Sequence, residues 1–325
     1  MRSKGFLIGG IVLLGLVSVR LQAGSYHRHG GDNVSITTDG DEPLTDCAQL
    51  RVRFDEMSAA RGEETITARL SSSPLTIRLP ESSGAYIRGG DRADTVVKVC
   101  KASRHAEDLS RIAATLGADG RLSVSGPSGG GWLAYLLIET PRRTAVDAQA
   151  SNGPISIRGL SGDVSARTAN GPLSLEDLSG TIRARAENGP ISIAHCRASV
   201  DAEAVNGPIS LSGGGGSQSL HTQNGPISVL LSGDHWDGSR LEAHAANGPL
   251  SVRIPESYRT GTRIESAGRS PFNCRAAACS QGRRSWDDDS RTVEFGSGAT
   301  VVRLSTVNGP VTVESGSDAE DESDE

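Results

Sequence analysis

Aromatic side chains are scarce in this 325-residue chain, which holds 4 Phe, 4 Tyr and 3 Trp, and methionine is scarcer still at 2. That scarcity argues against a conventional thick core and for a thin one built from Ile, Val, Leu and Ala. A basic excess is missing as well: 33 Lys and Arg stand against 39 Asp and Glu, a formal charge of -6. Six of the acids lie in the closing SGSDAEDESDE, which contains no base. The body of the chain is therefore near neutral and offers no cationic groove for nucleic acid. Residues 315–325 read as a disordered acidic tail.

Long apolar runs are confined to the first segment, MRSKGFLIGGIVLLGLVSVRLQAGS. Arg2 and Lys4 precede an apolar run from Gly5 to Val19, and small residues follow near Ala23, the pattern of a secretory signal peptide over 1–23. The run is short for a spanning helix, which needs about 20 residues. Membrane contact is expected only if this segment stays uncleaved. Residues 24–44 read as a flexible linker. The expected location is exported: periplasmic, cell-surface or secreted.

Cysteine is sparse but informative in an exported chain, where pairing is the default. Cys274 and Cys279 are close enough in NCRAAACS to close a small loop, and Cys47 and Cys100 are placed to tie two N-terminal strands. Cys196 falls where earlier repeats carry Leu160 and Leu178, which makes it a buried apolar thiol and the odd one out.

What the chain does have is glycine, 40 residues of it, and a repeat. Asn-Gly-Pro recurs with Asn at 152, 170, 188, 206, 224, 247 and 308, spaced by 18, 18, 18, 18, 23 and 61 residues. A fixed period of this length signals stacked units. Counting Asn as position 1, positions 4 and 6 are apolar (Ile155 and Ile157, Leu173 and Leu175, Ile191 and Ile193), while position 5 is Ser156, Ser174, Ser192, Ser210, Ser228 or Ser251. Positions 13, 15 and 17 alternate likewise with smaller residues, as in Val164, Ala166 and Thr168. Period-two alternation means a strand with one face inward, so each unit holds two strands, one with large inward residues and one with small.

Asn-Gly-Pro is then a corner, with Asn152, Asn170, Asn188, Asn206, Asn224, Asn247 and Asn308 stacking their amides. Gly is expected to supply a positive φ, and Pro to open the next strand. The fold expected is all-β: a β-solenoid, single-stranded and β-helix-like, with 18-residue coils. It spans 141–314, with insertions near 232–239 and 268–298. The second insertion, holding Phe272, Trp286 and Phe295, is suited to cap the stack.

Residues 45–140 read as a β-rich cap with one short helix. QLRVRF, TITARL, AYIRGG, TVVKVCKA, RLSVSG and WLAYLLIETP are strand candidates, and HAEDLSRIAATLG sets Leu109, Ile112, Ala113 and Leu116 on one helical face. An internal echo joins PLTIRLPES (74–82) to PLSVRIPES (249–257).

GGDRADTVVKVCKAS, GRLSVSGP, WLAYLLIETPRRTAVDAQASNGPISIRGLSG and EFGSGATVVRLSTVNGPVTV together resemble the bacterial putative-adhesin family of β-strand-repeat proteins, over roughly residues 45–314. The resemblance implies an exported, envelope-associated solenoid and carries no catalytic residues with it.

Glycoside hydrolysis needs two carboxyl groups at about 5 to 9.5 Å, and Asp201, Glu203 and Glu187 lie on adjacent outer strands. Arg167, Arg183 and Arg185 beside them suit a charge ladder equally well. His195, His221, His235 and His244 occupy scattered positions; only His221 and His244 share one, position 16, read as two coils apart. A zinc site needs about four converging ligands, so no metal and no cofactor is expected. His27 and His29 sit in the linker, and SWDDDS reads as a turn rather than a calcium loop. No phosphate loop or Ser-His-Asp elbow is present. The expected function is non-enzymatic and adhesin-like, with Ser156, Ser174, Ser192, Ser210 and Ser228 as a polar binding face toward an envelope polymer or a protein. The alternative is a carbohydrate-active enzyme, a polysaccharide lyase or glycosidase, on the same scaffold; a structural role in envelope-stress sensing stands third.

Overall fold

The computed structural model describes residues 34–37, 44–55, 57–71, 74–268 and 270–316. The signal-peptide segment 1–23, His27, His29 and the acidic tail from 317 onward lie outside the described residues. Two long sheets, of 12 and 13 strands, enclose one hydrophobic core. The fold is all-β with long parallel sheets, β-helix-like, and each 18-residue unit gives one strand to each sheet. Ile155–Arg158, Leu173–Glu176, Ile191–Ala194, Ile209–Ser212 and Ile227–Leu230 follow one another in parallel in the 12-stranded sheet. Val164–Thr168, Ser179–Ala186, Arg197–Ala204, Gly215–Asn224 and Asp237–Asn247 do so in the other.

Alternation along each strand decides which side chains meet in the middle. Ile191, Ile209 and Ile227 are fully buried from one sheet, and Ala166, Ala184 and Ala202 from the other. Large residues facing small ones let two sheets close over a thin core without voids. Each buried Ile contributes roughly 1.5–3 kcal/mol, so the stack gains stability unit by unit.

The Asn-Gly-Pro corner is held by an amide ladder. Asn170 Nδ2 donates to Asn152 Oδ1 at 2.8 Å, and Asn188, Asn206, Asn224, Asn247 and Asn308 repeat the bond, each to the Asn before it, at 2.8–3.2 Å. The expected positive φ at this glycine is absent. Positive φ belongs instead to position 8, at Gly159 (69°), Asp177 (53°), His195 (52°) and Gly213 (59°). The corner glycine is required for a different reason: a Cβ on Gly189 would lie 2.2 Å from the carbonyl oxygen of Gly171, and one on Gly207 would lie 2.2 Å from that of Gly189. Backbone is stacked on backbone at the corner, and no side chain fits between.

Two consecutive units depart from the regular filling of the core. At position 9, where other units bury Leu160, Leu178 or Cys196, one unit has Gly214, and the buried Gln218 donates there to the carbonyls of Cys196 and Gly215, both at 2.9 Å. The insertion at 232–239 packs down over this glycine corner through Trp236, which is 7% exposed and donates from Nε1 to the Gly216 carbonyl at 3.2 Å. This insertion is a plug held by an aromatic anchor.

Both ends of the stack depart from chain order. In the 13-stranded sheet, Ser297–Asn308 lies between Asp237–Asn247 and Thr260–Ala267, although it follows both in sequence. In the 12-stranded sheet, Val311–Gly316 lies between Leu250–Pro255 and Phe272–Cys274. The final unit thus slots beneath its own cap, which keeps Asn308 on Asn247. At the other end, Leu75–Arg78 and Gly84–Gly90 sit between the regular units and the later strands Arg121–Ser125 and Trp132–Pro141. The outermost C-terminal layer comprises Phe272–Cys274, the helix Ala277–Gln281 and the hairpin Arg283–Trp286 and Ser290–Phe295, with Cys274 bonded to Cys279.

Two expectations for the N-terminal region are corrected. The helix over HAEDLSRIAATLG is only a 3₁₀ turn, Ala106–Arg111, followed by the strand Ala113–Leu116, antiparallel to Arg121–Ser125. Ile112 and Ala114 are buried while Ala113 and Thr115 are exposed, so period two prevailed over the helical spacing. Residues 24–44 do not form a continuous linker: Val34–Thr37 is a strand paired to Arg51–Phe54 in a 3-stranded sheet. The two halves of the echo lie in different sheets, Leu75–Arg78 in the larger and Leu250–Pro255 in the smaller. What they share is a strand ending in one turn, closed from Ser83 N to Pro80 O at 3.2 Å and from Tyr258 N to Pro255 O at 3.1 Å. At the far boundary, Ser315 and Gly316 belong to the last strand rather than to the tail.

Candidate functional site

The serine row lies on the outer face of the 12-stranded sheet, because residues on either side of a core position point away from the core. Register sets Ser156, Ser174, Ser192, Ser210, Ser228 and Ser251 on consecutive strands. At about 4.8 Å per strand, they form a straight file of hydroxyls. Thr312 extends the file at one end and Tyr86 closes it at the other. Tyr86 belongs to a second apolar cluster with Leu50, Val52 and Phe54 from the 3-stranded region, which is stapled on by the Cys47–Cys100 disulfide. Ser156 is consequently 3% exposed and its hydroxyl has no partner, whereas Ser174 through Ser251 are half-buried and reach solvent.

The outer face of the 13-stranded sheet is charged, and its charges are paired along the stack. Arg78 bonds Asp147 at 2.6 Å, and Arg167 approaches the same carboxylate at 3.5 Å. Arg185 holds Asp201 at 2.7 Å and Glu203 at 2.9 Å. The candidate catalytic carboxylates are thus two acids sharing one guanidinium, and Glu187 sits apart from them, exposed beside the corner.

Farther along this face is an open groove of about 530 Å³, lined by His221, Glu242, His244, Arg263, Glu265 and Glu294 among others. The sequence reading set His221 and His244 two coils apart. Their strands are neighbours, the residues are register partners, and the rings stack with centroids 5.3 Å apart and planes 8° from parallel. Position 16 of the units opened by Asn206 and Asn224 is one coil apart, not two. His244 Nδ1 lies 2.9 Å from Ser305 Oγ on the next strand. Partial burial, and then the charge of His221, pull the His244 pKa below its ordinary value. Arg263 binds Glu265 at 2.9 Å and Glu294 at 3.1 Å.

The remaining singled-out residues are dispersed. Glu176, Asp177 and His195 bring donor atoms within 4.8 Å of one another at the opposite corner. Arg158 occupies that cluster, donating to Asp177 at 3.1 Å. His235 is exposed and bonded to Asp234. Burial pushes the Cys196 thiol up to about 12, so it stays protonated and inert. Asp287 through Asp289 form the exposed hairpin turn closed from Asp287 N to Ser290 O at 2.9 Å. Among the described residues no helix is long and apolar enough to cross a membrane.

No family model matches the chain, and no curated protein matches it. Solved structures that the chain is similar to include two named for adhesion. One is a putative cell adhesion protein from Clostridium sporogenes ATCC 15579, 12% identical, covering 79% of this chain and 100% of its own, with a TM-score of 0.23. The other is a putative adhesin from Bacteroides fragilis NCTC 9343, 10% identical, covering 78% of this chain and 97% of its own, with a TM-score of 0.33. At these scores the likeness carries no argument, and function has to be read from the faces themselves.

Proposed function

We propose that the chain is an exported, non-enzymatic β-solenoid of the cell envelope that presents its serine file to a polymer or protein partner in the manner of an adhesin. The observation that carries this reading is the straight row Ser174 to Ser251, one hydroxyl per strand. A periodic file of donors and acceptors suits a ligand that is itself repetitive. Export is supported by the N-terminal apolar segment and by two disulfides, which persist in oxidising compartments.

A second reading, a polysaccharide lyase or glycosidase, draws on Glu242, Glu265 and Glu294 in one groove. Their pairing to Arg240 and Arg263 favours a structural charge ladder. The test incubates the chain with a panel of envelope and host polysaccharides, scoring retention on the polymer and release of new chain ends together. Retention without new ends, abolished by Ser192→Asp, is the expected result. New chain ends would replace the binding reading with the enzymatic one.

A further inference from the structure

We infer that His221 and His244 form a divalent transition-metal site on the outer face of the 13-stranded sheet, with Glu242 as a third donor and water completing the shell. The site is independent of the serine file, which lies on the other sheet. Its two imidazoles come from register partners on adjacent parallel strands. The two rings lie parallel with centroids 5.3 Å apart, so both side chains must turn out of the stack to bring one nitrogen each to a single ion at bond lengths of about 2.0–2.1 Å. Imidazole with carboxylate and water suits zinc, copper or nickel rather than calcium or magnesium.

The hydrogen bond at His244 specifies which nitrogen is free. His244 Nδ1 is engaged with Ser305 Oγ on the next strand at 2.9 Å. Nε2 is therefore the ring nitrogen left to face an ion. An outer hydrogen bond of this kind orients metal-bound histidines and fixes their tautomer.

Glu242 stands two residues before His244 on the same strand and so on the same face. Its link to Arg240 spans 3.3 Å between largely exposed side chains, a weak surface pair that an ion can displace. The other carboxylates nearby are committed, Glu203 to Arg185 and Glu265 and Glu294 to Arg263. The groove of about 530 Å³ leaves room for an ion and its waters.

The experiment titrates Zn²⁺ into the full chain by calorimetry and follows Cu²⁺ by electron paramagnetic resonance, with His27→Gln and His29→Gln in every sample so that no N-terminal chelate contributes. One equivalent of ion with nitrogen coupling from two imidazoles is expected. His221→Gln and His244→Gln should each weaken binding by at least about 10-fold, and Ser305→Ala, which touches no ion, by about 10-fold. Melting of the metal-free variants checks that they fold, and Glu242→Gln supplies a further readout through a smaller loss. The inference is overturned if the chain takes up no ion or if the double histidine variant binds as before. Loss confined to His195→Gln would also overturn it, placing the ion on Glu176, Asp177 and His195.

Discussion

Single residues in this molecule act through their copies in the next unit. Gly189→Ala places a Cβ against the Gly171 carbonyl, and neither backbone can retreat without dragging its own neighbours. We expect a loss of more than about 2 kcal/mol, well above the ordinary strand preference for Ala over Gly, measured by denaturant unfolding. Ile191→Asp buries a charge in the thin core and should cost roughly 4 kcal/mol or more, while Ser192→Asp, one residue along on the outer face, should leave the midpoint nearly unchanged. Equal losses would mean that the inward and outward faces are assigned the wrong way round. His244 supplies a pH prediction. Its pKa in the folded state lies below the 6.5 expected of the unfolded chain, so protonation favours unfolding. Stability should be flat above that value and decline as pH falls through the folded pKa. His244→Gln should remove this part of the decline.

At the scale of elements, what could be read depended on periodicity. The units from Ile155 to Leu230 were legible because alternation, turn residues and the recurring Asn agree at every copy. The segment Ile112 to Leu116 was misread because Ile-Ala-Ala-Thr-Leu satisfies a helical face and a strand equally, and pairing with Arg121–Ser125 decides between them. The role of the corner glycine was misjudged because sequence shows that Gly is needed without showing whether φ or backbone approach needs it. The histidine pair was legible: with the five extra residues within 232–239 set aside, His221 and His244 hold the same position of consecutive units, so the count of two coils between them is corrected to one. That insertion should behave as a structural plug: Trp236→Ala is expected to cost about 3–5 kcal/mol, read by thermal melting, with the serine file unaffected in polymer retention.

Across the whole molecule, the two ends differ in kind from the middle. The cap strands Thr260–Ala267 and Phe272–Cys274 rest on the last strands of the chain, Ser297–Asn308 and Val311–Gly316. Ending the chain after Gly296 therefore removes the seat of the cap and one neighbour each of Asp237–Asn247 and Leu250–Pro255, while the units before them keep both neighbours. Limited proteolysis with mass spectrometry should find cuts between 256 and 296 in the truncated chain, with 146–224 still protected. Cuts spread evenly along the chain would show that the cap is not a separable layer.

Because the last unit is threaded beneath the cap and an early unit beneath later strands, neither end can be lengthened by simply appending another copy. Only the interior accepts new modules. The identical 18-residue spacings fall between Asn152 and Asn224, the stretch where a duplicated or deleted unit would find the same corner above and below it. The molecule is in this sense a ruler with fixed end-pieces: its reach can be reset by whole increments of one strand spacing, and the distance between its two caps is a count of repeats.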